Sequence, residues 1–175
     1  MRALIASLGT AFVSHQFIVR SIRAYPLRRI DETVASFLEL AGGPNQFVHM
    51  GRADASFRAF VKPSPDLLYS FLVFDVSRSA LQVEIPPVAG FWVNQIVAMN
   101  SDSVGYIGSR NRPADTPTRF VLEAPETPDC DPPESYERIL SPTSRGAFLL
   151  RFLIRGEQSI AAIETIRSAI RVECL

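Results

Sequence analysis

The chain has 175 residues, of which 47% are hydrophobic and 21% are charged, and its 18 basic residues balance its 18 acidic residues. This composition excludes a disordered chain and provides enough apolar material for a packed core. Because the net charge is zero, nucleic acid is not an expected partner of the whole chain.

The first segment of the chain, between Arg2 and Arg20, contains no formally charged residue. Its length is close to the lower limit of about 17 residues for a helix that spans a membrane. A cleaved signal peptide would need a small-x-small site, which residues 14–17 do not provide. A buried helix would carry a charged face toward water, which is also missing. We therefore expect an uncleaved, single-pass anchor helix over residues 1–24.

Small residues recur along one face of this predicted anchor. In lipid, helices associate through close packing of small residues and through interhelical hydrogen bonds. The face therefore predicts docking on other membrane protein subunits, although a bilayer helix also tolerates such residues without a partner. The residues of this face are Ala3, Ser7, Thr10, Ala11 and Ser14.

His15 is a weak candidate metal ligand within the predicted anchor. Ala11 lies one turn before it and leaves room for the macrocycle of a haem or chlorin. Its position near the end of the span favours instead a side chain that reaches the membrane interface. A single histidine does not define a site, so we expect no cofactor and no metal.

A cluster of arginines follows the anchor and precedes the first acidic residue, Asp31. Such a cluster predicts binding to anionic lipid headgroups and the lipid bilayer surface. It also conflicts with a periplasmic domain, because the positive-inside rule places arginine-rich flanks in the cytoplasm. The cluster consists of Arg20, Arg23, Arg28 and Arg29.

Residues 25–44 form a predicted juxtamembrane segment. Pro26 suits the first position of a helix, and apolar residues from Leu27 to Ala41 follow the spacing of one helix face. Gly42-Gly43-Pro44 ends this pattern. We expect a short amphipathic helix that links the anchor to the domain.

Residues 45–175 are predicted to form a β-rich globular domain. Residues 67–74 are almost continuously apolar, which indicates a central strand, and residues 81–85 alternate as in a strand with one wet face. Further strands are expected at residues 57–61, 91–99, 104–107, 120–122 and 148–154. Their spacing and intervening turn residues predict an α+β domain with a mainly antiparallel β sandwich or barrel-like sheet.

The last segment of the chain is predicted to be a capping helix. After Gly156, four isoleucines share one face, while Glu164 and Arg167 are expected to point outward and to form an i, i+3 pair. We expect the isoleucines to be buried against the sheet. They are Ile160, Ile163, Ile166 and Ile170.

The two cysteines, Cys130 and Cys174, match no metal-ligand spacing. In an oxidising compartment they would be able to form a disulfide between a loop and the C-terminus, and in a reducing one they would remain thiols. The sequence leaves both alternatives open.

No catalytic residue is expected, because the chain lacks a nucleophile elbow, a phosphate-binding glycine loop and a metal cluster. Polar residues near the ends of the predicted strands nevertheless define a candidate ligand pocket. Asp66 is also a typical turn residue, and Asp75 is also suited to an ion pair with Arg110 or Arg151. The candidate pocket residues are Asp66, Tyr69, Asp75, Arg110 and Arg145.

Several short motifs occur in the order and spacing of a known family. They are Lys62-Pro63-Ser64-Pro65-Asp66-Leu67-Leu68-Tyr69-Ser70, Phe74-Asp75-Val76-Ser77, Val83-Glu84-Ile85-Pro86, Phe91-Trp92, Gly105-Tyr106-Ile107-Gly108-Ser109-Arg110, Ser141-Pro142-Thr143 and the strand with Arg151. Together they resemble the domain-of-unknown-function 1254 family over residues 45–172. The resemblance implies a β-rich, exported envelope protein without an agreed activity, and the layout is most similar to short, membrane-anchored alphaproteobacterial members.

One motif departs from the family pattern. Long members carry Pro-Asn-Asn-Asp-Thr-Leu-Tyr where this chain has Pro63-Ser64-Pro65-Asp66-Leu67-Leu68-Tyr69. The two asparagines and the threonine are missing, so a ligand site built on them is not expected here.

The sequence therefore predicts a non-catalytic, single-pass protein of the bacterial inner membrane with its domain in the periplasm. Its expected role is that of an accessory or structural subunit that docks on a larger membrane protein complex. The alternative is a periplasmic domain that binds or hydrolyses a small molecule or glycan near Asp66, Tyr69 and Arg110.

Overall fold

The structure is a computed structural model that describes the backbone of residues 2–54 and 63–175, with side chains described at residues 10–21, 32–54 and 63–175. The chain divides into two compact units, Met1–Ala35 and Ser36–Leu175. The helices are α1 (Arg2–Ala41) and α2 (Glu157–Ser168), and the strands are β1 (Phe47–His49), β2 (Leu67–Asp75), β3 (Leu81–Ile85), β4 (Trp92–Ala98), β5 (Ser103–Gly108), β6 (Thr118–Glu123), β7 (Glu137–Leu140), β8 (Arg145–Leu153) and β9 (Arg171–Cys174).

The N-terminal part of the chain is one continuous helix of 40 residues, α1. It runs through the expected boundary between residues 24 and 25 and through Pro26, where proline would usually kink or end a helix. Gly42 ends it with a positive φ of 75°, and the amide of Gly43 donates to the carbonyl of Leu38.

The expected transmembrane helix is not found. Over the described residues, no helix combines the length and the apolarity that crossing a membrane requires.

The β strands form two separate sheets. Of the two predicted arrangements, a β sandwich and a barrel-like sheet, the structure therefore has the sandwich. The first sheet has the order β1-β2-β8-β4-β5, and all its strand pairs are antiparallel. The second has the order β7-β6-β3-β9 and is antiparallel except for the parallel pair of β6 and β7. The strand expected at residues 57–61 lies outside the described residues.

The hydrophobic core lies between the two sheets. Phe148 of β8 contacts Phe120 of the second sheet with ring centroids 5.7 Å apart, and it contacts Phe74 of β2 at 5.4 Å. Gly146 pairs with Phe74 in register, and a Cβ atom at residue 146 would collide with the Phe74 ring. The alternation predicted for residues 81–85 is confirmed, since Leu81, Val83 and Ile85 are fully buried.

Helix α2 caps the core as expected, with Ile163 buried and the other three isoleucines packed against the core. The expected i, i+3 pair is also present, at 2.7 Å between Arg167 Nη1 and Glu164 Oε1. The outward orientation expected for Arg167 is wrong, because its side chain is 1% exposed. Its Nη2 atom donates to the carbonyls of Met50 and Tyr69, at 2.8 and 3.1 Å, and so ties α2 to the first sheet.

Candidate functional site

A cleft of about 530 Å³ lies on the first sheet, on the face turned away from the core. Its position follows from strand register: Arg151 of β8 lies opposite Val93 of β4, and Val93 lies opposite Gly108 of β5. Their neighbours Trp92 and Phe152 face the core, since successive side chains of a strand alternate between faces. The cleft is lined by Leu67, Phe91, Trp92, Val93, Tyr106, Gly108, Arg110, Asn111 and Arg151. Its volume is typical of small-molecule sites.

Most of the cleft lining is apolar or aromatic. The Trp92 ring stacks on the Phe152 ring on the core side of the sheet, with centroids 6.5 Å apart. The Trp92 backbone is fixed by the end of β5 and the turn that follows it. The amide of Ser109 donates to the Trp92 carbonyl at 3.0 Å. Phe91 and Tyr106 are exposed large side chains beside it, so they offer ring surface that a ligand is able to cover.

The turn after β5 is fixed by one side chain. Asn111 Nδ2 donates to the Tyr106 carbonyl at 3.0 Å, and Asn111 Oδ1 accepts from the Gly108 amide at 2.9 Å. Two hydrogen bonds from one amide group hold the end of β5 against the turn. Arg110 lies within this turn, so its backbone is positioned before any ligand arrives.

Two arginines provide the charge of the cleft. Arg151 Nη2 donates to Gln95 Oε1 at 3.2 Å, and Arg151 Nε is buried without a hydrogen-bond partner. Arg110 is exposed at the rim of the cleft. Within the described part of the chain, neither guanidinium forms a salt bridge with a carboxylate, whereas six other arginines do. Those six are Arg52, Arg112, Arg119, Arg138, Arg145 and Arg167.

Two of the five expected pocket residues lie at the far end of the sheet. Asp75 and Arg145 are register partners at the end of β2 opposite to Leu67, about 26 Å away along the strand. They form a salt bridge of 2.8 Å, so the partner of Asp75 is Arg145 rather than Arg110 or Arg151. Burial opposes ionisation of Asp75, but hydrogen bonds from Ser77 and Arg145 outweigh it and lower the pKa of the carboxyl.

Asp66 and Tyr69 belong to the turn that precedes β2 and to the start of that strand. The Asp66 amide donates to Ser64 Oγ at 3.3 Å, and the buried Tyr69 hydroxyl accepts from the Ser64 amide at 2.9 Å. The Asp66 backbone and the Tyr69 hydroxyl therefore both stabilise this turn. Among the five expected residues, only Arg110 lines the cleft, and the aromatic residues and Arg151 were not expected there.

The two cysteines are free thiols on opposite sides of β3. Cys130 Sγ donates to Glu123 Oε1 of β6 at 3.2 Å, whereas Cys174 of β9 pairs with Leu81 of β3. Because β3 lies between β6 and β9, the structure has the free-thiol alternative rather than the disulfide. Burial and the neighbouring Glu123 raise the pKa of the Cys130 thiol.

The residues expected to contact a membrane all belong to the first unit. Thr10, Ala11, Ser14, His15 and Arg20 are exposed. The side chains of Ala3, Ser7, Arg23, Arg28 and Arg29 lie outside the described residues. Among the residues that the structure describes, no group of three or more histidine, cysteine or acidic side chains is arranged to hold a metal ion.

Comparison with known proteins identifies the fold. The chain is similar to the VPA0106 protein of Vibrio parahaemolyticus, with a TM-score of 0.64 and 16% identity over 83% of this chain and 35% of that one. It is also similar to an uncharacterized protein from Burkholderia cenocepacia, with a TM-score of 0.51 and 12% identity over 90% of this chain and 42% of that one. No curated protein matches the chain.

These identities are low, so the two structures support the fold alone, and the chain spans only 35% and 42% of their lengths. The family model described as "Protein of unknown function (DUF1254)" matches residues 44–174, which is most of the chain. The protein therefore belongs to the DUF1254 family.

Proposed function

We propose that the second unit is a non-catalytic binding domain that holds a small, largely apolar molecule in the cleft on the first sheet. The observation that carries this proposal is the cleft itself, in which exposed aromatic rings surround a preformed depression of about 530 Å³. An apolar pocket with a few convergent polar groups is the usual form of a ligand site.

A binding role is favoured over catalysis by the position of the best nucleophile and base pair among the described residues. His49 Nδ1 lies 2.9 Å from Ser70 Oγ, which is the spacing of a serine activated by histidine. Ser70 is completely buried, so its hydroxyl has no access to a substrate. The contact therefore supports the sheet rather than a reaction.

A fluorescent probe tests the proposed binding. We expect the neutral dye N-phenyl-1-naphthylamine to bind the purified protein saturably at one site, because the cleft offers an aromatic surface. Tyr106→Ala is expected to weaken this binding about fivefold, since an aromatic contact contributes about 1 kcal/mol.

The matched control is Leu140→Ala, because Leu140 is a similarly exposed large residue on the other sheet, at 65% against 54% for Tyr106. This variant is expected to bind the dye as the wild type does. An absence of saturable binding, or an equal effect of both substitutions, would contradict the proposal.

We propose a second function for the N-terminal helix, which is docking on other membrane protein subunits at the bacterial inner membrane, with the domain in the periplasm. Four large apolar side chains of its described part are between 53% and 72% exposed, and such exposure is typical of a surface that a partner covers. They are Phe12, Val13, Phe17 and Ile18. The resemblance to short, membrane-anchored members of the family also supports this role.

Fractionation of cells that express the native chain tests this docking. We expect the wild type to sediment with membranes and to copurify with stoichiometric membrane subunits in mild detergent. The double variant Phe12→Glu, Phe17→Glu is expected to lose both properties, because each substitution replaces an exposed apolar side chain with a charged one. Recovery of the wild type as a free monomer would argue against docking.

A further inference from the structure

We infer that the cleft selects an amphipathic anion, whose apolar body lies on the aromatic residues and whose acidic head group lies between Arg110 and Arg151. This inference rests on the proposed binding function of the cleft. Guanidinium groups bind carboxylate and similar oxyanions through charged hydrogen bonds, and they do so more strongly where water is partly excluded. A monocarboxylate with an aliphatic or aromatic body fits these requirements.

Arg151 supplies a charge that the protein itself leaves uncompensated. It lies on β8, a central strand of the first sheet, between Tyr69 on β2 and Val93 on β4. Its hydrogen-bond partner, Gln95, is neutral, and its Nε atom has no partner. A partly buried charge without an opposite charge is unfavourable, so an anion in the cleft would remove this penalty.

Arg110 provides the second charge from the other side of β4. Gly108, near Arg110 at the end of β5, lies opposite Val93, which in turn lies opposite Arg151. Two strand spacings of about 4.8 Å therefore separate the β5 and β8 backbones. The long arginine side chains are able to reach one head group from both sides, while Asn111 holds the turn in place.

The remaining lining explains why an anion is favoured over a cation. No aspartate or glutamate is among the residues that line the cleft, so its charge is positive. The next arginine of the same turn, Arg112, forms a salt bridge with Glu137 on β7 and is thereby neutralised. The pairing pattern thus leaves two arginines without acidic partners at the rim and floor of one apolar cleft.

A pair of dyes with one apolar body separates charge recognition from apolar binding. N-phenyl-1-naphthylamine is neutral, and 1-anilinonaphthalene-8-sulfonate is the same molecule with an acidic group. We expect the sulfonate to bind about tenfold more tightly, which corresponds to about 1.4 kcal/mol. Laurate is expected to displace it, and dodecylamine is not.

Substitution of each arginine shows whether the preference comes from the cleft. Arg110→Gln and Arg151→Gln are each expected to weaken binding of the sulfonate about fivefold or more and to leave binding of the neutral dye within about twofold. Arg78→Gln is the matched control, because Arg78 is an exposed arginine in the turn after β2, at the far end of the sheet. Arg110 is exposed, so its variant tests the inference even where Arg151→Gln fails to fold.

Two outcomes separate the inference from the proposed function. Equal affinities for the two dyes, or arginine variants that behave as Arg78→Gln does, would overturn anion selection and leave the binding function standing. No saturable binding of either dye would overturn both.

Discussion

At the residue scale, His49 and Arg167 show how charge is placed beside the core. Burial and the nearby Arg167 guanidinium lower the pKa of His49, although Glu164 acts in the opposite direction. Burial also lowers the pKa of Arg167, and Glu164 offsets part of that effect. The folded protein therefore favours the neutral imidazole, whose Nδ1 atom contacts Ser70 Oγ.

The depressed pKa of His49 predicts a pH dependence of stability. The unfolded chain binds a proton to this ring near pH 6.5, whereas the folded chain binds it only at lower pH. The contribution to stability is therefore complete above pH 6.5 and is lost as the pH falls from there through the lowered pKa of the folded state. Because the ring is partly exposed, we expect the loss to be less than about 1 kcal/mol.

Urea unfolding of the wild type and of His49→Gln between pH 5 and 8 measures this contribution. The difference between the two free energies of unfolding cancels the other titrating groups. It is expected to shift in favour of the wild type as the pH rises through this range. A difference that stays constant with pH would show that His49 does not titrate differently in the folded and unfolded states.

At the element scale, the long strands were predictable and the short ones were not. The continuous apolar run at residues 67–74 predicted a central strand, and β2 is confirmed as one between β1 and β8. Strands β1, β7 and β9 have 3 or 4 residues each, which is too short for alternation to be recognised. Each of them pairs with a distant segment, so its formation depends on tertiary contacts.

The cleft could be predicted only at Arg110, and the reason is strand register. Its lining comes from β2, β4, β5, β8 and the adjacent turns, and register decides which of their side chains share a face. The expected pocket residues share a position near strand ends, but an antiparallel sheet places such residues at both of its ends. Asp75 and Arg145 consequently form a salt bridge far from the cleft.

At the scale of the whole molecule, the net charge is zero, but only some of the described arginines form salt bridges with carboxylates. Six described arginines of the second unit form salt bridges with carboxylates. The two that line the cleft do not, and neither do the exposed Arg78, Arg155 and Arg171, so Arg151 differs from the other described unpaired arginines of this unit in being partly buried. The domain thus combines an apolar depression with local positive charge. This combination is the physical basis for a binding role within a family whose activity is unknown.

Contact quenching of an indole placed in the cleft tests the binding claim most directly. Phe91 lines the cleft and is 37% exposed, whereas Trp92, the only tryptophan of the sequence, is buried against the core. Bromine quenches indole fluorescence only at close range, so the variant Phe91→Trp reports contact with a ligand in the cleft. The account predicts that 11-bromoundecanoate quenches the fluorescence added by this substitution saturably and that undecanoate competes without quenching. Calorimetric binding of 11-bromoundecanoate to Phe91→Trp without quenching of the added fluorescence, or no binding at all, would contradict it.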